Sequence, residues 1–350
     1  MTRIVVAGAG AVGASIAYHL ALRGARGVVL ADRDEIAGGA TGKAMGGVRQ
    51  QFSTAPEVRL AQASVRLFRG LGAPLFEQVG YLFLATTELG LAQLRERADA
   101  QRALGVPVED VDPGGVRGLR VDDVLGAVIC REDGVADPTG VTRELVRRAA
   151  ARGVEVRERT DALELEADVL VIACGARSAE VAATRGVELP IRPLVRQLAE
   201  VGPVAGVPAG LPMTIEESGF HFRRVGEDRL RLAMGEPAPR WGTDEVVDDG
   251  LVEDWRARIA HRYPQAAGTP VVRAWAGLYD MTPDAHPIVG PVADGVYAAC
   301  GFSGHGFMQA PAVGAAVADE LLDGASDLDL SPYRLDRFEA GATFPETLIL

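Results

Sequence analysis

Lysine is almost missing from this chain. Of 36 basic residues only Lys43 is a lysine and the rest are arginine, a trend that a GC-rich coding bias accounts for. Lysine is thereby removed from every other candidate site. Cysteine is scarce too. Cys130, Cys174 and Cys300 are odd in number and far apart, which excludes a disulfide framework and a C-x-x-C metal pattern. Cys174 and Cys300 end apolar strand-like runs and read as small core residues. No apolar run approaches the roughly 18 residues of a membrane span, so none is expected. Positive charge is in deficit: 36 Lys and Arg against 48 Asp and Glu leave a net charge of −12. That argues against a nucleic-acid partner, which needs clustered positive charge. The acidity is spread along the chain and reads as a solvated surface. No internal repeat, Ser-His-Asp order or metal cluster stands out, so no metal is expected. The first strand starts at Arg3, leaving no room for a signal peptide ahead of it, and a reducing cytoplasm is the expected location.

What is present is an α/β pattern. The chain has 350 residues, 48% of them hydrophobic and 24% charged, enough for one large or two interlocked domains. Ile4 to Ala7 is a short apolar strand, Ala11 to Arg23 has helical apolar spacing, and Val28 to Leu30 is the next strand. Helical patterns recur near Pro56–Leu67, Leu89–Leu104, Val141–Arg152 and Val252–Arg262. Strands are expected at Tyr81–Thr86, Val154–Arg157, Asp168–Ala173 and Arg229–Met234. Near the C-terminus a strand at Gly295–Cys300 leads into a glycine-rich turn, Gly301–Gly306, and a helix at Ala312–Leu322. The pattern is a nucleotide-binding domain interrupted by a second one.

Gly8-x-Gly10-x-x-Gly13 follows the first strand and opens the first helix. The first glycine permits the tight turn, the second lets a pyrophosphate approach the backbone, and the third allows close helix–strand contact. The helix N-terminus offers free N–H groups to phosphates. Asp32 ends the second strand, where an acid binds ribose hydroxyls and would repel a 2′-phosphate, which disfavours NADP. The motif alone does not separate NAD from FAD. Two further stretches do. Ala40–Lys43 and Gly46–Arg49 let the chain pass close to a ligand, and Thr41 and Lys43 can bind phosphate oxygens. Gly301–Met308 sets backbone donors and a helix dipole where a reduced flavin develops negative charge near N1 and O2.

These stretches, with DGVADP at Asp133–Pro138, WAGLYDMTPDAHPIVGP at Trp275–Pro291, GGATGKAMGGVRQQF at Gly38–Phe52 and the tail SPYRLDRF at Ser331–Phe338, occur in an order that resembles the D-amino-acid-oxidase-like FAD enzymes. That group includes sarcosine oxidase, glycine oxidase and the flavoprotein subunit of L-proline dehydrogenase. The resemblance implies a Rossmann-like FAD-binding domain, at 1–50, 137–190 and 276–350, interrupted by a substrate domain with a mixed β-sheet at 51–136 and 191–275. Gly8, Gly10, Ala11, Val12, Gly13, Asp32 and Arg33 would hold the ADP half. Thr41, Gly42, Lys43, Met45, Gly46 and Gly47 would line the pyrophosphate and flavin, with Ala173, Gly175 and Gly277 near the cofactor. Gly304, His305, Gly306, Phe307 and Met308 would lie at the pyrimidine edge.

The implied reaction is oxidation of the C–N bond of an amino acid or small amine, by hydride transfer to flavin N5, giving an imine. Arg49, Tyr279 and His305 are the candidate catalytic residues. Arg49, His221, Arg231, Tyr279 and Met308 are the candidates for substrate binding. Gly277 stands where monomeric sarcosine oxidases carry the cysteine that holds FAD, and no histidine lies between Asp32 and Leu60, so non-covalent FAD is expected. Met308 replaces a lysine that helps bind the substrate carboxylate in those oxidases, and no lysine is available above the ring. Oxygen or another electron acceptor therefore both stay open. A flavoprotein subunit or assembly factor, active only within a larger complex, is the alternative reading. A homo-oligomer or a heteromeric dehydrogenase partner fits the same resemblance. His286, before Pro287, reads as a turn residue, and Trp241, Trp255 and Trp275 read as core or rim.

Overall fold

The computed structural model describes residues 2–236 and 238–346. Residue 1 and residues 347–350, at the two ends of the expected FAD-binding segments, lie outside the described residues. Strand Ile4–Ala7 is apolar throughout because it is buried on both faces, as parallel sheets require. It pairs in parallel with Val28–Ala31 on one side and Val169–Ile172 on the other. Glu155–Arg157 and Val296–Cys300 extend this sheet in parallel, and Ile288–Ala293 closes one edge antiparallel, giving six strands. Helices Ala11–Leu22, Pro138–Ala150 and Gly306–Asp323 cover one face, where Ile16, Leu20 and Val313 are fully enclosed.

A second, mixed sheet of nine strands stands over the carboxyl ends of the first. Its centre is antiparallel, with Arg192–Val201 paired along its whole length to Val271–Met281. Met213–Glu216 and Tyr81–Ala85 supply its one parallel pairing among the described residues. Helix Asp249–Arg262 packs Trp255 and Ile259 against Phe220, Phe222 and Tyr263 on the outer side. Gly47–Val48, Gly134–Ala136 and Phe76–Glu77 form a three-stranded patch between the sheets. No helix among the described residues is long and apolar enough to cross a membrane.

Two expectations need correction. The boundary at 275/276 falls inside strand Val271–Met281, all of which belongs to the second sheet, so the chain leaves that sheet only after Met281. The last long helix starts at Gly306, six residues before Ala312, and carries Pro311 inside it. A proline at that position lacks an N–H and normally breaks the ladder. Here Ser64 bridges the gap: its hydroxyl donates to the Gln309 carbonyl (3.1 Å) and accepts from the Ala312 N–H (3.2 Å).

Candidate functional site

Gly8 leaves the first strand with φ +104, and a Cβ there would sit 2.3 Å from the Ala173 carbonyl oxygen. Its N–H bonds the Ala31 carbonyl at 2.8 Å, so the turn is tied to both neighbouring strands. Gly13 acts purely through sterics. A Cβ there would lie 1.9 Å from the Gly8 oxygen, and the residue stays outside the cavity that Gly8, Gly10, Ala11 and Val12 line. Gly10 caps the helix, with no acidic residue in the first turn to compete for an anion. Thr41 accepts from the Ala11 N–H at 3.0 Å and so anchors its loop over the helix end. Asp32 is held by the N–H groups of Ala9 (2.6 Å) and Asp34 (2.8 Å) while facing the cavity. Its remaining lone pairs are placed for ribose hydroxyls. Arg33 closes this end through an ion pair with Asp161 at 2.8 Å. The link 158–168 carries a single 3₁₀ turn, Ala162–Glu164, and Thr160 to Leu163 form a wall that sequence reasoning missed.

The loop after Asp32 passes under the second sheet at glycines. Gly46 has φ +81 and lies so close to the Ala136 carbonyl that a Cβ would be 2.5 Å from its oxygen. A Cβ on Gly47 would meet the Tyr81 hydroxyl at 2.2 Å. Gly42 packs on the Ala37 carbonyl and does not line the cavity, which corrects its expected role. Arg223 donates from Nε to the Met45 carbonyl at 2.6 Å, and burial holds its pKa down to about 9. Arg231 is the second correction. It pairs with buried Glu200 through Nε (3.0 Å) and Nη2 (2.8 Å), and donates to the Ala44 carbonyl, so it braces the loop from behind instead of entering the cavity. The ammonium of Lys43 is also engaged, by Glu245 at the cavity rim, leaving phosphates to the backbone N–H groups. The Lys43 stem rests on Gly277, where a Cβ would be 3.1 Å away.

The C-terminal turn completes the cavity. Gly301, Ser303 and Gly304 have φ of +73, +53 and +96. The side chain of Asp280 accepts from the Gly301 N–H (2.8 Å), and its carbonyl accepts from Ser303 (3.2 Å). Burial pushes the Asp280 carboxyl up to about 6. A Cβ on Gly304 would enter the Tyr279 ring, 2.3 Å from Cε2. His305 precedes helix Gly306–Asp323 and packs edge-on to Phe52 with centroids 5.0 Å apart. Phe307 borders the cavity but turns its ring onto Phe68, at 5.3 Å, in the core. Gly306, Met308, Ala173 and Gly175 also line the cavity.

Arg49, Tyr279 and His221 meet on the roofed side, joined by Tyr81, Met213 and Arg196, which sequence reasoning did not single out. Arg49 is buried, donates to the Gln51 carbonyl and lies 4.1 Å over the Phe52 ring. The segment carrying it is fixed by buried Asp133, which accepts from the Gln50 N–H and side chain (both 3.0 Å) and from Gln51 (3.2 Å). His286 stays outside the cavity, between Glu57 (3.0 Å) and the Phe344 carbonyl (2.5 Å), as a structural residue.

His221 faces the Gly219 carbonyl with Nδ1 at 2.8 Å. A carbonyl only accepts, so Nδ1 carries the proton and Nε2 is left as an acceptor. Burial, aided by the Arg49 charge, lowers the His221 pKa to about 4. A free histidine titrates near ~6.5. Between these values the unfolded chain binds a proton that the folded chain refuses, so this contribution is complete above ~6.5 and is lost as pH falls toward about 4. It amounts to about 2 kcal/mol between roughly pH 7.5 and pH 5. His221→Gln is therefore expected to lose less melting temperature over that interval than the parent. Equal losses would contradict the assignment.

The glycine turn, Asp32, the 44–47 loop and the Gly304–Met308 turn line one continuous cavity of about 680 Å³, within the range of small-molecule sites. The cavity runs from the glycine turn to residues that include a buried arginine, two tyrosines and a neutral histidine. That arrangement defines a dinucleotide-dependent oxidoreductase. Residues 3–320 match the family described as FAD dependent oxidoreductase, and the chain belongs to it. It is 30% identical to the FAD-dependent oxidoreductase domain-containing protein 1 of Bos taurus, over 99% of this chain and 87% of that one. Among solved structures it superposes on L-proline dehydrogenase from P. horikoshii with a TM-score of 0.90, at 28% identity over 97% of this chain and 98% of the other. For glycine oxidase from Geobacillus kaustophilus the TM-score is 0.86, at 25% identity over 96% and 99% of the two chains. The cofactor is FAD; the glycine turn and Asp32 would hold its nucleotide half, and the 44–47 loop and Gly304–Met308 would hold its flavin.

Proposed function

We propose that the protein oxidises the C–N bond of an amino acid or a small amine. The observation that carries this reading is the meeting of Arg49, Tyr279 and His221 in the chamber at the flavin end of the cavity. Bound FAD would supply the acceptor for a hydride from the carbon next to nitrogen. The chain's own residues bind, orient and exclude water. Arg49 presents a rigid, planar cation suited to a carboxylate. The phenol of Tyr279 stays protonated, because burial raises its pKa, and it donates to the substrate. His221 offers Nε2 as an acceptor for an N–H of the amine, which must be neutral before a hydride can leave. The second sheet roofs the chamber and keeps water out.

Anaerobic bleaching of the purified holoprotein tests this, against glycine, sarcosine, L-proline, both enantiomers of other amino acids and simple amines. Bleaching by at least one of them is expected, and none by any of them would refute the reading. Bleaching that appears only after a partner protein is added would instead favour a subunit of a larger complex. Non-covalent attachment is expected as well, since Gly277 puts no nucleophile beside the ring and the nearby Lys43 ammonium is paired with Glu245. Acid precipitation should leave the yellow colour in the supernatant; a yellow pellet would show a covalent bond.

A further inference from the structure

Among the described residues, half of the arginines on the strands of the second sheet pair with acids, and Arg192, Arg196, Arg223 and Arg224 do not. Arg231, Arg229 and Arg273 share Glu200, and Arg240 has Glu236. Of the four without an acid, Arg196 alone lines the cavity. It sits in the middle of strand Arg192–Val201, opposite Gly277. Its guanidinium lies 5.7 Å from the centroid of the Tyr279 ring. Nε and Nη1 are enclosed and make no hydrogen bond, and no acid pairs with the group among the described residues. Nη2 is the one guanidinium nitrogen of Arg196 that is not among the enclosed, unbonded atoms. Two cations, Arg196 and Arg49, act on the Tyr279 phenol.

A partly enclosed guanidinium without a counter-ion is costly unless a ligand supplies one. A carboxylate oxygen accepting from Nη2 would supply that counter-ion through a charge-assisted hydrogen bond. We infer that Arg196 is a second anion-recognition residue of the chamber, and that the preferred substrate carries two acidic groups, one for Arg49 and one for Arg196. An amino dicarboxylate or an N-carboxyalkyl amino acid meets that description. The inference deepens the amine-oxidation reading and rests on it for the word substrate, but the anion site itself is measurable without turnover.

The test is a titration of the holoprotein with non-oxidisable acids, followed by the flavin absorbance. Succinate and glutarate are compared with butyrate and valerate. The parent protein is expected to bind the dicarboxylates at least tenfold more tightly than the monocarboxylates of equal length. Arg196→Met should erase that preference while leaving monocarboxylate affinity and the flavin spectrum unchanged, and Arg196→Lys should restore part of it. No preference in the parent, a preference that survives Arg196→Met, or loss of FAD from that variant would overturn the inference. Amine bleaching without a dicarboxylate preference would remove this inference alone. A dicarboxylate preference without bleaching by any amine would keep the anion site and remove the proposed reaction.

Discussion

Replacing Arg49 with alanine is expected to raise KM for a carboxylated substrate by at least about 30-fold. Truncating one partner of a buried, hydrogen-bonded charge pair costs about 2–5 kcal/mol, and 2 kcal/mol is already a factor of about 30. The loss should fall mainly on KM if the contact is made equally in the ground and transition states. An amine without a carboxylate should be almost indifferent to the change, and that contrast separates recognition from damage to the fold. Arg49 is enclosed, donates to Gln51 and covers Phe52, so Arg49→Lys is the companion variant. It keeps the charge and most of the stem while losing the two-point fork, and an intermediate KM is expected. Steady-state dye reduction measures all three proteins. An unchanged KM in Arg49→Ala would remove Arg49 from the substrate site.

The second large effect is expected at Gly8. Alanine there would be held at φ +104 with its Cβ 2.3 Å from the Ala173 oxygen. The obstacle is backbone, so no side-chain rotation relieves it. Strain of this kind, together with separation of two central strands, is expected to cost about 3 kcal/mol or more. Since FAD stabilises only the folded chain, a weakened turn also forfeits its binding contribution. Gly8→Ala should be isolated colourless or nearly so, with a clearly lower melting temperature. Gly70→Ala is the matched control. A Cβ there meets nothing within 4 Å, and it sits inside helix Ala55–Leu71, so stability should hold or rise slightly. A yellow Gly8→Ala protein with parental melting would contradict the steric account.

The nucleotide end is the most legible part of the sequence because its chemistry is local. Gly8 to Gly13 and Asp32 are set by one strand, one turn and one helix, and a reader needs no distant partner to place them. Arg231 and Lys43 mislead for the opposite reason. Each is claimed by an acid far along the chain, Glu200 and Glu245, and an isolated cation in a sequence does not reveal its counter-ion. Arg196 and Tyr81 escape notice because only strand register decides which side of the roof they face: Arg196 against Gly277, Tyr81 against Met213. Pro311 hides the true start of the last helix, since the serine that repairs the ladder, Ser64, lies on another helix. Phe307 is placed by its main chain correctly beside the cavity, yet its ring serves the core.

The order of strands has a consequence for how this molecule can be taken apart. The first sheet draws on 4–31, 155–172 and 288–300, and the second on 81–130 and 192–281. Neither sheet is a continuous stretch of gene, and no single cut yields two pieces that each own a whole sheet. The long strand Val271–Met281 ends at the residues that hold the Gly301–Gly304 turn, so the roof is stitched to the floor where the reaction would occur. A minimal version cannot be obtained by trimming one layer away. Any grafting of a new roof onto this floor must replace two separate segments at once and preserve Asp280 as the seam.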